Sequence, residues 1–477
     1  MATDRDVDVV IVGSGAAGLA AALSARQRGA ASVLVAESEG VVGGSSRLSG
    51  GLVMGAGTRY QKALGIDDDP EAMFHDYMQL NGWNVDAGVV RRFAELAGPT
   101  VEWLGDLGVE FYDTMVFGGE ERVPRVHVPI GRGQAVVDVL ARHCRDAEVD
   151  VALGQRVDRL LTDAGTVVGI AVVDDAITAG AVVIATGGFG NSPAKLAEHF
   201  PSAARTGWAW YIGAEGSRGD AFDLGAHVDA QVVGHDHGLR LLHAGFDQIY
   251  EAYLPGWLVL VNSDGRRFVD ETAPYGILDS MTREQGDRVF ALFDRAALDK
   301  ATAAGVARYK HAIPGSSKRQ SPHWNADIVD QMVADGRVTS SAGVSELAAS
   351  LGVPAANLEG TVAHYNAGVG EGCDREYLKD AAFLEPIASP PFYGAELRPS
   401  TVASTACGLR IDPDGGVRGA DGTPIGGLFA AGECTGGVVG AQYVGSGNNY
   451  ANCLVFGRVA GASAAAFASG SARNVTS

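Results

Sequence analysis

From Asp8 to Val12 the chain runs Asp-Val-Val-Ile-Val, apolar at every position after the first. So short an apolar run without alternation predicts a parallel strand buried on both faces. Gly13–Gly18 (GSGAAG) follows, then an Ala/Leu-rich stretch to about Gly29, which predicts a helix. Ser32–Glu37 (SVLVAE) is a second apolar run and ends on an acid. The order is strand, glycine turn, helix, strand. From about 60 to 145 the apolar spacing is mostly helical, with turn signals at Asn81-Gly82 and Gly118-Gly119. Val149–Leu153 and Val167–Val173 alternate like strands of a small meander. Ile177–Gly188 reads as a strand running into a glycine turn. The texture changes between about 238 and 391: hairpin-like strands around 257–269, helices from about 288 to 304, and polar connectors at 314–324. Gly426–Glu433 then resumes the earlier style, and a terminal helix is predicted over about 449–468. The pattern predicts an α/β fold with an α+β insert. Residues 1–237 and 392–477 form one domain, and 238–391 form a second domain inserted into it.

The length of 477 residues allows a large core divided among two or three domains. Hydrophobic content of 46% and charged content of 20% suit a soluble globular enzyme. The 66 glycines point to many tight turns and close backbone approaches. A net charge of −20 argues against nucleic acid or an anionic membrane surface as partner. No apolar run is read as long enough to span a bilayer, so no integral membrane segment is expected. The five cysteines, Cys144, Cys373, Cys407, Cys434 and Cys453, show neither metal-ligand nor CxxC spacing. Scattered thiols and a start without signal-peptide layout predict a reduced, cytoplasmic protein with no metal site.

The Gly13–Gly18 segment opens a helix directly after an apolar strand, and Glu37 closes the next strand at about the separation of a dinucleotide fingerprint. Gly13 permits the tight turn. Gly15 lets the backbone approach a pyrophosphate at the helix N-terminus, where free N–H groups and the dipole favour anions. Gly18 allows close helix–strand packing, and Glu37 is placed to accept hydrogen bonds from an adenosine ribose. Three further segments accompany this one: Val42–Gly51 (VGGSSRLSGG), Ala185-Thr186-Gly187, and Ala430-Ala-Gly-Glu433. Together they resemble the FAD motifs of the fumarate reductase/succinate dehydrogenase flavoprotein superfamily. The resemblance implies a Rossmann-like FAD-binding domain of the glutathione-reductase type with an inserted catalytic or capping domain. It implies FAD contacts from Ala16, Ala17 and Ser38, and from Gly44, Ser45, Ser46, Ser49, Gly50 and Gly51. Val157, Thr186, Gly432, Glu433, Asn448 and Asn449 complete the implied set. Membrane-bound members carry a covalent flavin on a histidine in the 45–50 region. Here those positions include Ser45, Ser46, Arg47, Leu48 and Ser49, so the FAD is expected to be non-covalent.

The resemblance continues through Leu254-Pro-Gly and Asn262–Tyr275 (NSDGRRFVDETAPY). In the superfamily's fumarate reductases the proton-donor arginine stands four residues past the glutamate; here that residue is Tyr275. The carboxylate-binding arginine corresponds to Tyr443, and a histidine before the Gly-Leu-x-Ile-Asp strand corresponds to Ser404. Replacing arginine by tyrosine exchanges a bidentate carboxylate clamp for a hydroxyl suited to a neutral ketone. The two segments are similar instead to the 3-ketosteroid dehydrogenases, whose Pro-Tyr carries a catalytic tyrosine, although Asp270 stands where asparagine is common. Their Tyr-x-x-x-Gly supplies a hydroxyl and a backbone N–H to the substrate carbonyl, matched by Tyr443 and Gly447.

The chemistry of that match is removal of an α-proton and a β-hydride next to a ketone. Tyr275 would be the α-proton base, and a phenol's ordinary pKa of about 10 predicts an alkaline optimum. Tyr443 O–H and Gly447 N–H would form a two-donor oxyanion hole. Ser446 either assists or shapes the turn. Phe111, Tyr112 and Phe117 either wall the pocket or belong to the core, the core being favoured. His235 and His237 lie where some fumarate reductases place a substrate histidine, without the Pro-Thr that follows it there. The first functional reading is FAD-dependent α,β-desaturation of a cyclic ketone, a 3-ketosteroid or a smaller cyclohexanone-like ring. Both 1,2- and 4,5-desaturation stay open, the Tyr-x-x-x-Gly spacing leaning toward the former. The alternative is an ene-reductase of the same fold acting on a non-dicarboxylate activated alkene; a non-catalytic flavin-binding protein is the third reading. With no second nucleotide motif, the expected electron acceptor is external, a quinone or another carrier.

Overall fold

The computed structural model of the chain describes residues 5–173, 175–205, 207–246, 251, 253–310, 314 and 321–470. Chain contacts group them into two units. The first comprises residues 1–204, 213–239 and 403–477; the second comprises 205–212 and 240–402. The crossing into the second unit falls within the strand Gly238–His243, close to the boundary expected at 238. The return falls at Val402/Ala403 rather than at 392, because Phe392–Thr405 is one long strand that serves the second unit's sheet along most of its length.

In the first unit, Val9, Val10 and Ile11 are fully buried, which is why the run shows no polar alternation. The strand Val7–Val12 pairs in parallel with Val33–Glu37 on one side and with Asp175–Ile184 on the other. Pro424–Ala430 adds in parallel beside Asp175–Ile184, so the return segment completes the sheet that the N-terminus began. Asp150–Leu153 was expected in a meander. It is instead a parallel edge strand beside Leu34–Glu37, exposed at three of its four residues. The meander is made by Arg159–Asp163, Thr166–Val172 and Asp175–Ile184.

The helix Ala16–Gln27 packs against the C-terminal helix Asn448–Ala468. Ala17, Ala20 and Ala21 on one and Gly457 and Gly461 on the other let the backbones approach closely. That packing accounts for the small apolar composition of both. Among the described residues the C-terminal helix is the one long and apolar enough to cross a bilayer. The expectation that no segment reaches that length missed it, because interspersed Gly, Ala and Ser soften the run; most of the helix is buried inside the protein.

In the second unit the strand Phe392–Thr405 pairs antiparallel with Val289–Asp294 and with Val338–Ser341. Val289–Asp294 lies in the region expected to be helical. Its apolar run has no readable period, and both faces are buried: Val289, Ala291 and Phe293 enter one core, Phe290 and Leu292 another. The helix begins at Arg295, capped by the Asp294 carboxylate, which accepts the Ala297 N–H at 2.8 Å. The expected hairpin over 257–269 is a single strand, Val259–Asn262, with one bridge from Val261 to Arg267. Beyond that bridge Arg267 is held by charge. It forms paired bonds with Glu271 (2.9 and 3.0 Å) and Asp374 (both 2.9 Å), and Lys379 lies 3.2 Å from Glu271. Burial opposes the charge on Asp374, but Arg267 and two backbone N–H groups outweigh it and hold the carboxyl well below its usual range. The connector expected at 314–324 lies largely outside the described residues.

Candidate functional site: a dinucleotide cleft and two tyrosine stations

The turn after the first strand is shaped by its glycines. Gly13 has φ of 105°, and a Cβ there would overlap the Ala185 carbonyl, while a Cβ on Gly18 would overlap the Gly13 carbonyl oxygen. Gly15 caps the helix without a side-chain bond, so the N-terminal N–H groups stay available apart from Ala16 N–H, which donates to Ser46 Oγ at 2.9 Å. Gly13, Gly15, Ala16, Ser46 and Ala185 line a cleft that lies wholly within the first unit. Glu37, Ser38, Gly44, Ser45, Val157, Thr186, Gly187 and Glu433 line it too, so most of the expected cofactor residues meet there. Gly18, Ser49, Gly50, Gly51, Gly432, Asn448 and Asn449 are not in its lining.

Glu37 is bound more tightly to its own loop than its sequence position suggested. One oxygen accepts Ser14 N–H (2.8 Å) and Ser14 Oγ–H (2.5 Å), and the other accepts Glu39 N–H (2.7 Å). It therefore organises the glycine turn as well as facing the cleft. Glu433 accepts Thr405 N–H at 2.8 Å and Thr405 Oγ1–H at 3.0 Å; burial pushes its carboxyl up against those two bonds. An FAD fits this donor set. The cleft offers an uncapped helix start for phosphates, and Thr186 Oγ1 is buried there with no protein partner. Asn448 Nδ2, Asn449 Oδ1 and Asn452 Oδ1, at the start of the C-terminal helix, are likewise buried without partners, as the amide-like edges of a flavin would require.

Tyr443 and Gly447 stand just before that helix. Tyr443 is half-buried, and its hydroxyl accepts the Asn449 N–H at 3.4 Å, at the positive end of a 21-residue helix. Gly447 has φ of 83° and its carbonyl accepts the Met54 N–H at 3.2 Å. Among the described residues no acceptor takes the Gly447 N–H. Ser446 is buried, and its N–H donates to the Gly118 carbonyl at 2.8 Å. Ser404 Oγ accepts from Asn449 Nδ2 at 2.8 Å. Phe111 is core, edge-on to Tyr60 and His127; Tyr112 is half-buried and Phe117 is exposed. His235 Nε2 lies 3.1 Å from the Glu198 carbonyl, an ordinary structural bond.

In the second unit Tyr275 is the first residue of the helix Tyr275–Glu284, directly after the N-cap Pro274. It is half-buried, with its ring 5.2 Å from that of Tyr253. Tyr253 lies 6.2 Å from Tyr309, whose hydroxyl donates to Glu251. Ser321 donates to the other Glu251 oxygen at 3.0 Å, and burial pushes this carboxyl up despite both bonds. Sequence reasoning missed Tyr253, Tyr309 and Glu251; the only signal was the position of Glu251-Ala-Tyr253 just before Leu254-Pro-Gly.

Residues 8–449 match the family described as FAD binding domain. The chain is 31% identical over 482 residues to the NADH:fumarate oxidoreductase of Klebsiella pneumoniae (strain 342), covering 98% of this chain and 48% of that one, so it spans about half that relative's length. It is 32% identical over 481 residues to the fumarate reductase (cytochrome) of Shewanella frigidimarina, covering 97% of this chain and 77% of that one. The crystal structure of the 3-ketosteroid-Δ4-(5α)-dehydrogenase from Rhodococcus jostii RHA1 superposes with a TM-score of 0.80 at 28% identity, over 97% of each chain. With the glycine turn, the cleft and the unpartnered amides already in place, these likenesses mean that the chain belongs to the FAD-binding domain family, among the fumarate reductase/succinate dehydrogenase-type flavoproteins, and is an FAD-dependent oxidoreductase of carbon–carbon bonds.

Proposed function

We propose that the protein removes two hydrogens across the α,β-bond of a cyclic ketone, a 3-ketosteroid or a smaller cyclohexanone-like ring. The observation that carries this reading is the donor pair on the loop before the C-terminal helix. The Tyr443 hydroxyl accepts from a helix N-terminal N–H, and a phenolic hydroxyl is by its chemistry a donor as well as an acceptor. Gly447 keeps its N–H while its carbonyl is pinned by Met54. Two neutral donors suit a ketone oxygen that gains charge as the α-proton leaves. Tyr275, acting as the phenolate, takes that proton and becomes the neutral phenol, and its ring packs against Tyr253. When bound, FAD supplies the hydride acceptor. The electrons leave to an external quinone or other carrier.

Anaerobic mixing of the yellow protein with a saturated 3-ketosteroid, and separately with cyclohexanone, tests this directly. Bleaching of the flavin is expected with at least one; no bleaching with any cyclic ketone overturns the reading. A second reading is reduction of an activated alkene such as an enoate, favoured by the relatives named as fumarate reductases. Its signature is reoxidation of the reduced protein by the alkene with no bleaching of the oxidised protein by any ketone.

Fumarate and succinate are expected to be neither substrates nor tight ligands. Tyr275, Tyr443 and Ser404 offer no cation to a dianion. Steady-state assay decides it, and fumarate turnover comparable to that with a ketone refutes the assignment. The FAD, about one per chain, is expected in the supernatant after acid or heat precipitation, because residues 45–50 contain no histidine. Flavin absorbance that stays with the denatured polypeptide would show a covalent bond.

A further inference from the structure

Glu121 is a buried carboxylate, 5% exposed, outside every motif discussed above. Its Oε1 accepts the Gly118 N–H and its Oε2 accepts the Gly119 N–H at 2.7 Å. Those two glycines in turn hold the loop that carries Tyr443 and Gly447. Ser446 N–H donates to the Gly118 carbonyl, and Gly119 forms an antiparallel bridge with Gly445. The approach is backbone on backbone, since a Cβ on Gly119 would overlap the Val444 carbonyl oxygen. The donor loop therefore has two anchors. Met54 holds its end at Gly447, and the Glu121 clamp holds its middle.

A carboxylate is an expensive choice for a buried site. Burial pushes its carboxyl up, against the Gly118 and Gly119 N–H bonds. The nearby cation, Arg125, is engaged by Asp68 (2.8 Å to each oxygen) and Asp76 (2.8 Å). What the carboxylate supplies is two charge-assisted bonds to adjacent N–H groups, stronger than neutral ones and fixed in direction. A loop that runs Gly445-Ser446-Gly447 has little side chain of its own to hold it. We infer that Glu121 is a positioning residue that sets the geometry between the Tyr443 hydroxyl and the Gly447 N–H. The inference rests on the reading of those two groups as donors to a substrate oxygen. Preorganised donors act only where they already point, and small misplacement costs much of their effect.

The test uses the FAD-loaded full chain and a series of substituted phenols, whose bound ionisation is read from their ultraviolet absorbance. In the unmodified protein the bound phenol's pKa is expected below its value in water. Glu121→Gln keeps the shape but sets an amide NH2 against one glycine N–H. It is expected to raise the bound phenol's pKa by about one unit and to lower kcat roughly 10–10²-fold, with KM within about twofold and FAD content unchanged. Glu121→Asp, which keeps the charge, should fall between the two and substitutes if the glutamine variant does not fold. A loss of melting temperature with the bound phenol's pKa unmoved would mean that Glu121 is merely structural, and would overturn the inference. Tyr443→Phe separates the two levels. If it leaves the phenol's ionisation unchanged, the donor reading itself fails; if it raises the pKa and both Glu121 variants do not, only the Glu121 inference fails.

Discussion

Tyr275→Phe should retain FAD and ketone binding and lose turnover by roughly 10²–10⁴-fold, the usual worth of a general base. Structure is expected to survive because the change removes one oxygen and leaves the ring. That ring packs 5.2 Å from Tyr253, and the segment before it is held by the buried Arg267–Glu271–Asp374 cluster. The loss should fall on the rate of flavin bleaching by ketone in stopped-flow, and ketone affinity should change little. Near-normal bleaching in this variant would move the base to another residue.

Tyr443→Phe should damage turnover on a similar scale while fold and flavin stay intact. The hydroxyl is proposed to donate to a carbonyl oxygen whose negative charge grows as the α-proton leaves. A bond that strengthens toward the transition state contributes to kcat more than to KM. One such donor is worth roughly 3–4 kcal/mol, or 10²–10³ in rate. The Asn449 N–H would lose a long 3.4 Å acceptor at the part-buried start of the helix, a cost that falls on stability rather than on kcat. The Gly447 N–H remains and preserves weak binding. Unchanged kcat with a modestly raised KM would reduce Tyr443 to a pocket wall.

The two variants also distinguish the units. Tyr275 belongs to the second and Tyr443 to the first. Both were legible as positions inside longer motifs, because those motifs are contiguous and each residue type has a chemical reason to be there. Neither environment was legible. Tyr253 meets Tyr275, Tyr309 meets Tyr253 and Glu251 binds Tyr309 through folding of segments that share no pattern, and the Asn449 N–H reaches Tyr443 only because a helix starts between them.

By itself the sequence determined the strand, glycine turn, helix and strand at Val7–Glu37, the last helix, and the existence of an inserted region. Each of these is written in neighbouring residues, as an unbroken apolar run, a glycine at a turn of positive φ, or a helix of small residues. Tertiary structure alone decided that Val289–Asp294 is a strand, since a fully apolar run has no period and takes its conformation from the two cores it separates. It alone placed Asp150–Leu153 in the main sheet, because strand partners are chosen by packing and not by proximity in the chain. It alone joined Gly118 and Gly119 to Gly445 and Ser446 under the Glu121 carboxylate. Glycines carry no side chain to mark a partner, and a backbone hydrogen bond can be made by any sequence, so the contact exists only once the fold brings the two loops together.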